Sequence, residues 1–207
     1  MRRAKVLFHN LIAQRNVAAG LYEYLSKNKI PVDFSDLLRW QWVLAVAALD
    51  KYIHDIVRIG MVDEFCGCRV RTSKYNAFQL SMNTFSAISS SSTPAMEFEN
   101  EVALKNSYLA FQDPDKIADA LAYIWDKPNK WDIISSNMKT SISAKDLRTK
   151  LKNIILRRNQ IVHEGDCIFT TMSLSQQPIC QSDTEDVIRF ITELVEAIDK
   201  SITTPLP

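Results

Sequence analysis

Residues 40–49 read WQWVLAVAAL, an apolar run broken only by Gln41. They sit early in a stretch, about 35–65, that reads as one long helix with Ser35 and Asp36 as candidate N-caps. A helix that is apolar nearly all round must be covered on every side. The rest of the chain therefore has to wrap this one helix, and other helices are the natural cover. The second half of the stretch is mixed, with Asp50, Lys51, His54, Asp55 and Arg58.

The remaining sequence supplies that cover. Only four glycines occur in 207 residues, which argues against a turn-rich β-sandwich or barrel. Leu7, Leu11, Ala18, Leu21 and Leu25 give residues 3–27 helical spacing, with a single N-terminal helix expected before residue 30. Gly60 and Gly67 flank the end of the long helix, and residues 73–85 are expected to form a third helix. The S-S-S-S-T-P string at 89–94 is a loop whose Pro94 opens a helix over about 95–111. Asp113-Pro114 and Pro128-Asn129 start short helices ending near 125 and 138. Ser143 caps a helix over 144–163 that stops at Gly165. Residues 164–181 form a long connection, Ser182 or Asp183 caps a last helix ending near 202, and 203–207 are a tail. No internal repeat is present. The expected fold is all-α, a single domain with a bundle of four to five core helices over about 35–202 and additional short helices.

Twenty-five Lys and Arg against 24 Asp and Glu leave a formal charge of +1, so any contact with a polyanion must come from a local patch. One is visible. Residues 139–158 hold seven basic residues and one acid, while 181–199 hold six acids and one Arg. Either the acidic last helix covers the basic one, or part of the basic face is free to hold phosphates. Cys66, Cys68, Cys167 and Cys180 lack zinc-ligand spacing and are too few for a disulfide scaffold, so reduced thiols are expected. The N-terminus lacks an apolar signal region. The longest apolar run, 42–49, is too short to span a bilayer. A cytoplasmic protein without a membrane role is expected.

The helix over 144–163 carries the chemistry. At about 100° per residue, Leu147, Leu151, Ile154, Ile155, Ile161 and Val162 form one apolar stripe, and Arg158 falls inside it. Burying an unpaired guanidinium costs several kcal/mol. Arg158 thus needs a buried carboxylate such as Asp50 or Asp55, or a cleft that takes an anion. Arg157 projects off the stripe, as a solvated or phosphate-contacting residue. His163 lies about 140° round from Arg158, whereas Asn159 and His163 are i, i+4 partners. Asp50 and His54 share a face of the long helix. They read either as a polar core edge, with Asp50 paired to Arg158, or as a supporting shell for catalysis. Tyr52, Trp40, Trp42, Trp125 and Trp131 read as core or interface residues.

The string Arg158-Asn159-Gln160-Ile161-Val162-His163, followed by Glu164-Gly165-Asp166, resembles the R-x4–6-H motif of HEPN domains. The string Ala48-Leu49-Asp50-Lys51-Tyr52-Ile53-His54-Asp55 resembles the central helix of their RiboL-PSP-type branch. The resemblance implies a helical bundle that pairs as a homodimer with the motif helices of two copies bordering one cleft. It implies either a metal-independent endoribonuclease of toxin, phage-defence or RNA-processing settings, or a non-catalytic module that binds RNA, nucleotide or a partner protein such as an antitoxin. In the nuclease reading RNA supplies its own nucleophile, the 2′-OH, and the product is a 2′,3′-cyclic phosphate. His163 would move the proton, Arg158 would hold the phosphorane, and Asn159 would orient either group. Asp50 and His54 would support them, and Arg157, Lys152 and Arg148 would bind RNA. No metal or cofactor is called for, and no carboxylate cluster of two-metal type is present.

Overall fold

The computed structural model describes residues 1–169 and 174–203; the expected tail lies, but for Thr203, outside the described residues. The described residues hold ten helices and one two-stranded sheet. The architecture is all-α. Its axis is α3 (Asp36–Phe65), whose residues Val46, Leu49, Ile53, Ile56, Val57 and Met61 are fully buried. Helices α1 (Arg2–Ala13), α2 (Arg15–Lys27), α6 (Pro94–Asn106), α7 (Pro114–Leu121), α9 (Ala144–Glu164) and α10 (Gln181–Thr203) all pack on it. One buried apolar cluster runs from Ala4 and Phe8 on α1 through α3 to Ile202 on α10. Gly60 of α3 lets residues 122–125 approach closely: a Cβ there would stand 2.5 Å from Ile124 Cγ2.

Local sequence explains most boundaries. Ser143 accepts from the Asp146 amide at the start of α9, and Gly165 ends it with φ of 61°. Asp113 caps α7 with Pro114 at its first position, and Pro94 opens α6. Ser35, by contrast, does not cap α3; its hydroxyl accepts from the Arg39 guanidinium instead. The single N-terminal helix is two, parted at Gln14, where the polar run Gln14-Arg15-Asn16 interrupts the apolar spacing. The helix expected over 73–85 is also two, α4 (Ser73–Asn76) and α5 (Met82–Ser90), because Thr72 and Ser81 each cap their own short turn. Helix α6 stops before Ser107, whose amide and hydroxyl both turn back to the Leu104 carbonyl, and the Phe111 amide donates to Asp50 on α3.

The connection after α9 contains β1 (Cys167–Phe169) and β2 (Leu174–Gln176), antiparallel with Cys167 opposite Gln176. Helix α10 begins at Gln181, ahead of the expected caps; Thr184 donates from both amide and hydroxyl to the Cys180 carbonyl. Among the described residues none of its acids pairs with a cation of α9, although the Lys150 ammonium lies over the Phe190 ring at 4.8 Å. Glu196 and Asp199 pair with Lys5 of α1, and Tyr52 donates to Asp199. The four cysteines are free thiols. No described helix is long and apolar enough to cross a membrane. Trp125 and Trp131 are buried, as expected of core residues, whereas Trp40 on α3 is 46% exposed.

Candidate functional site

Helix α9 runs with its last two turns against the start of α3. Trp42 of α3 donates its indole N–H to the Ile154 carbonyl at 3.1 Å, and Arg39 and Arg157 share one carboxylate. That carboxylate is Asp166, two residues past the end of α9 and fully buried. Its Oδ2 accepts from Arg39 Nε at 2.8 Å and from an Arg157 guanidinium nitrogen at 2.8 Å. Arg39 also donates to the Gln177 carbonyl at 2.8 Å, and Arg157 to the Pro178 carbonyl at 3.1 Å. The Gln177 amide donates in turn to the Asp166 carbonyl. Two guanidiniums around one carboxylate thus fasten the turn after His163 to the base of the central helix. Asp166 takes this position at φ of 60°, which aspartate tolerates better than most residues.

Arg157 is therefore not the solvated residue that its wheel position suggests. The chain folds back after Gly165 and brings Asp166 onto it. The triad of Arg39, Arg157 and Asp166 escaped the helical wheel because its members come from three separate segments. A signal was present all the same: Arg39 is a charge beside an apolar run, and Asp166 follows a helix-ending glycine.

Arg158 lies in the apolar stripe, as the wheel places it, and is half-buried. Neither Asp50 nor Asp55 reaches it. Asp55 is held by Lys51 and by Arg58 at 3.1 Å, and Asp50 by the Phe111 amide at 2.6 Å. The reason is height along the helix. Arg39, which marks the level of Arg157, precedes Asp50 by eleven residues, about 16 Å of helix rise. His54, whose ring is tilted at 47° to that of Phe111 with centroids 4.4 Å apart, is one turn further still. Asp50 and His54 lie 3.9 Å apart, a loose contact, and form a separate cluster on the same chain.

The one hydrogen bond of the Arg158 side chain among the described residues runs to the Asn159 side-chain oxygen at 3.1 Å. Its Nε is buried without a partner. A guanidinium has five N–H donors, so most of this one's have no partner among the described residues. Asn159 consequently faces Arg158 and makes no hydrogen bond to His163. His163 is exposed on the last turn of α9, and no described residue donates to it or accepts from it. Arg148 and Lys152 lie a few turns back, both joined to Asp115 of α7, Lys152 at 3.5 Å. No group of His, Cys, Asp and Glu side chains that could hold a metal ion exists among the described residues.

The arrangement is thus a half-buried cation with unused donors and a free imidazole on one helix end, fixed from behind by a buried ion-pair triad. A family model described as RiboL-PSP-HEPN matches residues 10–204. The chain belongs to the RiboL-PSP-HEPN family. In this HEPN chain the match takes in α3, the Arg158–His163 motif and α10, and it begins inside α1, well ahead of the core expected from residue 35. No curated protein and no solved structure matches the chain.

Proposed function

We propose that this HEPN protein is a metal-independent endoribonuclease that cuts RNA through its own 2′-OH. The observation that carries the reading is the pairing of a free, exposed His163 with a half-buried Arg158 whose donors are largely unused. In-line attack by the 2′-oxygen on the adjacent phosphorus forms the new P–O bond and breaks the bond to the 5′-oxygen. An imidazole takes the 2′-OH proton and gives one back to the leaving 5′-oxygen, so that no net proton is consumed. The guanidinium holds the phosphorane oxygens and keeps its charge throughout. Asn159 fixes the guanidinium rather than the imidazole.

His163 and Arg158 diverge on α9, and a twofold partner resolves that: one copy's imidazole faces the other copy's guanidinium across a shared cleft. Exposed apolar side chains offer such a contact, Leu156 ahead of the motif at 59% and Val162 within it at 45%. We propose with it a toxin or phage-defence role, with an antitoxin or defence-system protein as partner. The test is incubation of purified protein with RNA in excess chelator. Cleavage that leaves 2′,3′-cyclic phosphate and 5′-hydroxyl ends supports the reading. Cleavage that vanishes in EDTA and returns with Mg²⁺ overturns it.

A further inference from the structure

Away from the motif, the turn between α7 and α8 (Lys130–Asn137) and the first half of α9 enclose a recess of about 530 Å³. Five cations line it, Lys127 and Lys130 from the turn and Lys145, Arg148 and Lys152 from α9, against a single acid, Asp132. Asp115 offsets part of that charge by holding Arg148 and Lys152 at the rim. The Lys145 ammonium has no ion pair or hydrogen bond among the described residues, and Arg148 Nε is buried without a partner. Lys130 is half-buried, donating to the Lys127 carbonyl at 2.8 Å. Burial and then the charge of Lys74 push its ammonium below the usual lysine value, despite the carboxylates of Asp126 and Asp119. Cations thus outnumber acids in this concavity, on a chain of net charge +1, and the excess favours an anion there.

The recess also has a direction. Lys145, Thr149, Lys152, Leu156, Asn159 and His163 follow one another at steps of three or four residues, so one stripe of α9 leads from it to the motif. The stripe is about 27 Å long at 1.5 Å per residue. We infer that this recess is a second RNA subsite, holding backbone phosphates of the strand whose scissile bond lies at His163. The inference rests on the nuclease reading for the identity of the polyanion, while its own evidence is the recess and the stripe.

The experiment uses the full chain carrying His163→Ala, so that RNA is bound and not consumed. A labelled single-stranded oligoribonucleotide is titrated at several salt concentrations, with and without Lys130→Gln plus Lys145→Gln. Loss of two phosphate contacts should raise Kd about ten-fold near 0.1 M salt and lower the salt slope by roughly 1.4. A charge-matched control, Lys27→Gln plus Lys29→Gln on the far turn after α2, should change neither. Exposed Lys145→Gln alone repeats the test if the Lys130 change disturbs the turn, with half the change in slope. Equal effects of the two double variants overturn the subsite and leave the nuclease reading standing. RNA that binds in the recess but is never cut by the parent protein upholds the subsite and overturns the nuclease reading. A parent that neither binds nor cuts RNA overturns both.

Discussion

At the scale of single residues, the chemistry of α9 depends on which of two adjacent arginines is occupied. Arg157 is bound to a fully buried carboxylate, and Arg158 keeps most of its donors. Removing one partner of a buried ion pair strands the other charge and typically costs about 3–5 kcal/mol. Asp166→Ala should therefore destabilise the protein by about 3 kcal/mol, and Arg157→Ala by a similar amount; thermal melting should show a fall of roughly 6–12 °C for a chain of this size. A melt unchanged by Asp166→Ala would mean that the triad holds nothing in place. The wheel located Arg158 in angle and missed its surroundings. Sequence spacing gives a residue's direction from its own helix, whereas its partner depends on the height at which a neighbouring helix crosses. Asp50 has the right direction at the wrong height.

At the scale of elements, α1 is held to α10 by Lys5 and His9 against Glu196 and Asp199. Burial pushes the Glu196 carboxyl up, but the hydrogen bond and charge of Lys5, then those of His9, outweigh it and hold it below the usual value. The hydrogen bond to Glu196 holds the Lys5 ammonium above its usual value, with burial opposing and the charges of Asp199 and Glu196 adding. A lowered carboxyl contributes stability above its unfolded pKa, about 4.3, which is lost as pH falls through the folded value; a raised ammonium contributes below about 10.4, lost as pH rises through the folded value. The pair thus acts fully between about pH 5 and 10. These side chains are partly exposed, so Glu196→Gln should cost about 0.5–1 kcal/mol in urea unfolding at pH 7 and close to nothing at pH 3. An equal cost at both pH values would assign the effect to packing. Among the elements, α7 and α9 were legible because caps, a proline and Gly165 punctuate them, and α3 because of its apolar run. Helices α4 and α5 and the sheet were not. Four- and nine-residue helices carry little periodicity, and strands of three residues carry less.

At the scale of the whole molecule, the claim is that one helix face both holds and cuts RNA, and that two copies complete the site. Light scattering at micromolar concentration should give about twice the 23.6 kDa chain mass. A strict monomer would remove the shared cleft and leave Arg158 and His163 on divergent faces. Cleavage of RNA in excess chelator by the parent protein and by His163→Ala separates a catalytic α9 from one that only binds. His163 is exposed and unbonded, so the variant should melt with the parent and bind RNA equally well. Its cleavage rate should fall by roughly 10²–10⁴, the range for losing a general acid–base group. A His163→Ala protein that cuts RNA as fast as the parent would contradict the account.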